Sequence, residues 1–263
     1  MEKSAAKKRA ELESILAERA PLLVAFSGGV DSSFLLAVAQ QVLGKNVTAI
    51  IADSPSLPRA ALARAIKFAS ELEANLEVLK TTELAQEDYA ANPENRCYFC
   101  KAELFRQMDA YAAANDFRHL AYGENFDDIG HLRPGVVAAQ QFSVCAPLKE
   151  CGLTKMEIRQ LSREMGLPTA DDAAQPCLSS RIPHGIRVTA GALRKIEQAE
   201  EYVSSLGFRI FRVRHLSDDA AKVQIEPSEM SRVPAISERL LGGIRAVGYT
   251  SVEIDPQGYR SPA

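Results

Sequence analysis

No uninterrupted apolar run in the 263 residues approaches the ~20 that a membrane-crossing helix needs. The opening stretch MEKSAAKKRAELESILAERA is charged and helix-forming and lacks the apolar centre of an export signal, which points to the cytoplasm. Charge of one sign is scarce too: 31 Lys and Arg stand against 34 Asp and Glu, a net charge of −3. A whole-protein field that draws in nucleic acid is therefore missing, although a local basic groove is not excluded. Cysteines are few and odd in number, five in all, which speaks against a disulfide framework and for reactive or metal-binding thiols. There is no internal repeat and no low-complexity segment. What is present, 46% hydrophobic and 25% charged residues, suits a globular chain of one large domain or two ordinary ones.

The hydrophobic pattern predicts apolar strands at 21–26, 47–53, 76–81, 119–123 and 142–148. Helices are expected at 3–20, 32–44, 58–73, 101–115 and 154–165. Strands alternating with amphipathic helices imply an α/β fold, a parallel sheet with helices on both faces. Ligands of such sheets bind beyond the carboxyl ends of the strands, where Ser27, Asp53 and Gly123 fall. The pattern changes near residue 185. A helix at 190–206, strands at 208–216 and 221–227, a helical stretch at 229–242 and a last strand at 249–255 predict a small α+β domain. The expected division is thus 1–185 and 186–263.

The turn SGGVDSS follows the first strand. Gly28 and Gly29 let an anion approach the backbone closely. The helix behind them offers unpaired amides and a positive dipole end, and Ser27, Ser32 and Ser33 add hydroxyls. The Gly-Lys-Ser/Thr ending of the common triphosphate loop is absent, and no lysine is placed to hold the β and γ phosphates for terminal transfer. A tight turn with capping serines is the plain alternative. The complete string resembles the pyrophosphate-loop (PP-loop) ATP pyrophosphatases. That resemblance implies cleavage of ATP between its α and β phosphates, with Ser27, Gly28, Gly29, Asp31 and Ser32 on pyrophosphate. Asp31 is a candidate magnesium ligand because carboxylate and phosphate oxygens suit that hard ion.

Elsewhere, Asp53 in ADSPSLPR is placed for adenosine or magnesium, or merely to cap the following helix. Asp127 and Asp128 in YGENFDDIGHLRPG are candidates for magnesium or for orienting the acceptor, unless they are simply solvated. In PCLSSRIPHG, Cys177 lies among Ser179, Ser180, Arg181 and His184, a partly cationic setting that favours the thiolate. Arg181 has the fork to bind a phosphate or carboxylate. Arg212 and Arg214 in FRVRHL share one strand face, which suits an anionic substrate group.

Together ADSPSLPR, the RPG loop, PCLSSRIPHG and FRVRHL resemble the LarE family over residues 10 to 255. That resemblance implies an ATP-dependent sulfur transferase for the nickel-pincer nucleotide, with ATP and Mg2+, a small nucleotide substrate and a homo-oligomeric state. A carboxylate of pyridinium-3,5-biscarboxylic acid mononucleotide is adenylated. The cysteine matched by Cys177 then displaces AMP and, in one branch, surrenders its sulfur. Ser180, Arg212 and Arg214 are the expected substrate contacts and Arg181 a catalytic one. Glu200 and Glu201 are base candidates because the family carries acids near there; helical surface charge explains them equally.

Cys97 and Cys100 form a C-x-x-C pair. No second such pair completes a zinc site. With Cys177 they make three thiolates, enough for a 4Fe–4S cluster with one open iron, and a second branch of the family is similar in this respect. Cys145 and Cys151 fall outside the family pattern, and His131 stands where an acid is expected. A PP-loop tRNA thiolation enzyme and a non-catalytic nucleotide-binding protein are the rival readings. The first needs a basic surface that the net charge does not supply.

Overall fold

A computed structural model describes residues 3–129, 134–173 and 175–260. The chain divides into two compact units, Met1–Glu83 with Asn95–Gln175, and Leu84–Glu94 with Pro176–Ala263. In chain order the helices and strands are α1 (Ala5–Ala17), β1 (Leu22–Ala25), α2 (Val30–Leu43), β2 (Val47–Asp53), α3 (Arg59–Glu71), β3 (Asn75–Lys80), α4 (Glu87–Ala90), α5 (Arg96–Ala114), β4 (His119–Tyr122), α6 (Pro134–Gln141), α7 (Pro147–Glu150), α8 (Lys155–Glu164), α9 (Ala190–Ser205), β5 (Phe211–His215), β6 (Ala220–Ile225), α10 (Ser237–Ala246) and β7 (Ser251–Ile254).

The first unit is the α/β layer structure that the alternating pattern predicts. Its four strands run parallel in the order β3-β2-β1-β4. All four residues of β1 are buried, because helices cover both faces. Successive residues point to opposite faces. Leu22 and Val24 pack with Leu12 and Leu16 of α1, Phe34 and Leu35 of α2 and Ile158 and Leu161 of α8. Leu23 and Ala25 pack with Phe105 and Met108 of α5 and Ala138 of α6. Burial of each such leucine stabilises the fold by roughly 1.5–3 kcal/mol. The order places the ends of β1, β2 and β4 side by side.

One expected strand is absent. Residues 142–148 make a single bridge, Ala121 to Cys145. Phe142 still donates its N–H to Ala138 at the end of α6, Ser143 takes φ +53°, and Pro147 starts α7. Too few residues remain extended for a ladder, and proline could not have donated to one.

The second unit has a three-stranded sheet in the order β5-β6-β7, antiparallel between β5 and β6 and parallel between β6 and β7. Its core joins Ala199 and Val203 of α9 to Val213, Val223, Leu240 and Ile244. The helix expected at 229–242 is broken by proline into short 3-10 turns at Pro227–Arg232 and Pro234–Ile236, followed by α10. Residues 84–94 are tied into this unit. The Asn92 amide donates to the carbonyls of Pro183 and Ile186, each at 2.8 Å, and Val188 N–H donates to Ala90 O at 2.8 Å. Among the described residues no helix is long and apolar enough to cross a membrane.

Candidate active site

The turn between β1 and α2 has the form of an anion cradle. Gly28 takes φ +73°, and a Cβ there would stand 3.0 Å from Ala65 of α3, so two constraints call for glycine. Gly29 precedes α2 and gives no side-chain cap; Ser33 is the first residue whose N–H bonds back, to Gly29 O at 2.9 Å. The Val30, Asp31 and Ser32 amides thus form the open N-terminus of a 14-residue helix. Ser32 Oγ lies 3.0 Å from Ser27 Oγ and donates to Gly29 O at 3.1 Å, which shapes the turn. Gly123, at the end of β4, backs directly on this helix start: a Cβ there would meet Ser32 N at 2.9 Å.

Asp31 is the charged centre of the turn. Its Oδ2 accepts from Lys155 Nζ at 2.7 Å and from Asn125 Nδ2 at 3.5 Å. Its Oδ1 is buried and has no hydrogen-bond partner among the described residues. An orphaned carboxylate oxygen beside a glycine cradle fits a hard divalent cation. Asp127 Oδ2 accepts from the Lys155 N–H at 2.8 Å, at the start of the neighbouring helix. Asp128 closes a capping box with Asn125. Asp53, at the end of β2, is ion-paired to Arg59, the first residue of α3.

Sequence reasoning misses Lys155 and Asn125. The turn's own sequence holds no lysine, and the cation that meets Asp31 arrives from α8, 124 residues away. A signal exists in Thr154-Lys-Met-Glu157, the spacing of a capping box, which marks a helix start with Lys155 at its first position.

In the second unit Cys177, half-buried, precedes a 3-10 turn over Leu178–Arg181. Arg181 is almost fully buried and binds Glu200 of α9 in a bidentate pair. The same guanidinium donates to Pro176 O at 2.6 Å, Cys177 O at 3.1 Å and Ser180 Oγ at 3.0 Å. Glu200 also accepts from Val213 N–H at 3.0 Å, whereas Glu201 is exposed. Arg214 donates to Ser180 O at 2.7 Å and to Gln224. Arg212 donates to Phe211 O and lies over the Tyr259 ring, 4.9 Å from its centre. Burial, and then the Arg181 charge, lower the affinity of both arginines for their protons. Hydrogen bonds and the ion pair thus join Cys177, Ser180, Arg181, Glu200 and Arg214, while Arg212 lies on the same strand β5 as Arg214.

Cys97 and Cys100 lie near the start of α5, Cys97 exposed and Cys100 half-buried. Their i, i+3 spacing puts both thiols on one helix face. Cys145 donates to Leu120 O, and burial pushes its thiol pKa up. Cys151 is buried in the core and pushed up to about 11 by the same cause. Within either unit, among the described residues, no group of three or more His, Cys, Asp and Glu side chains is arranged to hold a metal. His131, with the preceding Gly130 and the first two residues of the loop LRPG, lies outside the described residues.

Comparison with known proteins places these features in context. The NAD synthase family profile matches residues 9–171. An uncharacterised protein of Synechocystis sp. is 40% identical over 241 residues, covering 91% of this chain and 90% of that protein. The pyridinium-3,5-bisthiocarboxylic acid mononucleotide synthase of Lactiplantibacillus plantarum is 30% identical over 257 residues, covering 97% of this chain and 93% of that protein. A glutamine-hydrolysing GMP synthase of Carboxydothermus hydrogenoformans is 28% identical over 185 residues, 64% of this chain but 36% of that protein.

Proposed function

The chain belongs to the LarE family of PP-loop ATP-utilising enzymes, and from that premise we propose that it converts a pyridinium carboxylate to a thiocarboxylate by adenylation and sulfur transfer. The observation that carries the ATP half is Asp31: one carboxylate oxygen is held by Lys155 and the other is orphaned inside a glycine-lined turn. Asp31 would hold Mg2+, which supplies charge neutralisation on the phosphates. The Ser27–Ser32 turn and the α2 amides receive pyrophosphate, and Lys155 adds the cation that the turn itself lacks. Asp53 and Gly123, at neighbouring strand ends, are assigned to the nucleotide side of the site, and Asp127 to the support of Lys155.

The chemistry requires activation because a carboxylate is a poor electrophile. Its oxygen attacks the α-phosphorus of ATP and pyrophosphate leaves. Where Cys177 is itself the sulfur source, its thiolate then attacks the acyl carbon, AMP departs with the carboxylate oxygen, and a thioester forms. Arg181 fixes the Cys177 segment through two carbonyls, and Glu200 fixes Arg181, so both are assigned as positioning residues. Ser180, Arg212 and Arg214 are assigned to the phosphate of the anionic substrate, which calls for cationic donors. Glu201, exposed on the same helix α9 as Glu200, is assigned as a candidate base for the Cys177 α-proton.

Two sulfur sources separate by experiment. If Cys177 is sacrificed, removal of its α-proton breaks the Cβ–S bond, leaves dehydroalanine, and lowers the chain mass by about 34 Da, the mass of hydrogen sulfide. If Cys97, Cys100 and Cys177 hold a 4Fe–4S cluster, the anaerobically purified protein carries about four iron atoms per chain, lost in Cys97→Ala. The helix-face spacing of Cys97 and Cys100 favours the cluster; the test is iron and sulfide analysis with intact mass before and after turnover. No pyrophosphate release with ATP and the pyridinium dicarboxylate refutes the adenylation reading. Release with neither mass loss nor iron refutes both sulfur assignments.

A further inference from the structure

Lys8 of α1 is a cation with almost no access to solvent, its side chain 9% exposed. Its Nζ lies 2.9 Å from each oxygen of Glu157. Glu157 Oε2 also accepts from the Thr154 N–H and Thr154 Oγ1, each at 2.9 Å, while Glu157 N–H donates to Thr154 Oγ1. The carboxylate therefore does two things: it closes the capping box of α8 and it anchors α1. Burial opposes its charge, but the Thr154 and Lys8 donors outweigh that and hold its pKa below the usual carboxylate value.

The first residue of α8 is Lys155, whose ammonium meets Asp31 and whose amide meets Asp127. The residue before Thr154 is Leu153, whose carbonyl accepts from Phe126 N–H at 2.8 Å. Asn125, beside Phe126, meets Asp31 too. A continuous run of bonded groups thus leads from Lys8 through the α8 N-terminus to both groups that hold Asp31. We propose that Lys8 is a positioning residue for the ATP site: by fixing Glu157 it sets the entry angle of α8, and so the place of the Lys155 ammonium against the pyrophosphate turn. This rests on the ATP reading above. A buried ion pair whose only role is stability would not be coupled to nucleotide affinity.

A double-mutant cycle with MgATP binding, measured by calorimetry on the full chain, separates the two roles. Lys8→Met is expected to weaken MgATP binding about threefold to tenfold, as loss of a supporting contact does. Lys8→Arg restores most of it. In a Lys155→Met background Lys8→Met adds no further loss of affinity, yet still lowers the melting temperature. Unchanged affinity in Lys8→Met, or losses that multiply in the double variant, overturns the proposal. Should Lys8→Met fail to fold, Glu157→Gln, which keeps an acceptor for the Thr154 cap, takes its place in the same cycle. Wild-type protein that binds no MgATP sinks the ATP reading and this inference with it; binding that Lys8 does not influence sinks this inference alone.

Discussion

Arg181 and Glu200 form a bidentate ion pair at 2.9 Å across both contacts, with side chains only 5% and 14% exposed. The pair holds the turn after Cys177 against α9, because the same guanidinium also meets the Pro176 and Cys177 carbonyls. Removing the cation leaves a carboxylate only 14% exposed whose remaining donor among the described residues is Val213 N–H. Breaking a pair of this kind costs about 3–5 kcal/mol. Arg181→Met should therefore shift chemical unfolding by that amount and speed alkylation of Cys177, followed by peptide mass spectrometry. If stability falls but Cys177 reacts at the wild-type rate, Arg181 does not order the thiol segment.

Lys155→Met should weaken MgATP binding about tenfold, or about 1.4 kcal/mol, with the fold retained. The Lys155 side chain is 38% exposed, so its loss costs little packing. Salt should narrow the gap between wild type and variant, because partly exposed charges are screened. Equal affinities at low salt would remove Lys155 from the site.

Gly123→Ala tests the close approach of β4 to α2. The added methyl would stand 2.9 Å from Ser32 N and 3.1 Å from Ser32 Cα, both backbone atoms that cannot rotate away. MgATP binding should disappear in calorimetry, with a drop in melting temperature. A variant that binds normally would show that the turn can shift without cost.

These relationships differ in how far they can be read from sequence. The parallel core is legible because β1 is buried on both faces and its neighbours share its apolar run. The glycine turn is legible because its parts are contiguous. The expected strand at 142–148 fails because an apolar run does not record that Ser143 turns the chain and Pro147 opens a helix. Lys155 escapes for a different reason: a local motif cannot show a cation supplied by another element, although the Thr154–Glu157 capping box marks where that element starts. The segment 84–94 joins the second unit through Asn92 and Ala90, contacts that hydrophobic periodicity does not register.

The thiols should separate by exposure and ionisation. The thiolate is the nucleophile, so a raised pKa slows alkylation. Cys97 is exposed, whereas Cys145 and Cys151 are raised by burial, Cys151 to about 11. In metal-free native protein near neutral pH, iodoacetamide should label Cys97 well before Cys145 or Cys151. Early labelling of Cys151 would contradict its place in the core.

Acid should act on the first unit through Glu103. Its side chain is 1% exposed, and burial by itself would raise its pKa. Arg106, Gln107 and Thr82 donate to it and prevail, which brings the pKa from 4.5 down to about 2. A carboxyl with a depressed folded-state value stabilises the fold above its unfolded value, and that stability is lost as pH falls through the folded one. Between about pH 4.5 and 2, wild-type protein should lose on the order of 2 kcal/mol from this group, after discounting the exposed Arg106 for screening. Glu103→Gln cannot titrate, so the gap between wild type and variant in urea unfolding should shrink across that window. A gap that stays constant from pH 6 to about pH 2.5 would show that Glu103 has the same proton affinity folded and unfolded, and that these donors do not favour the charged form.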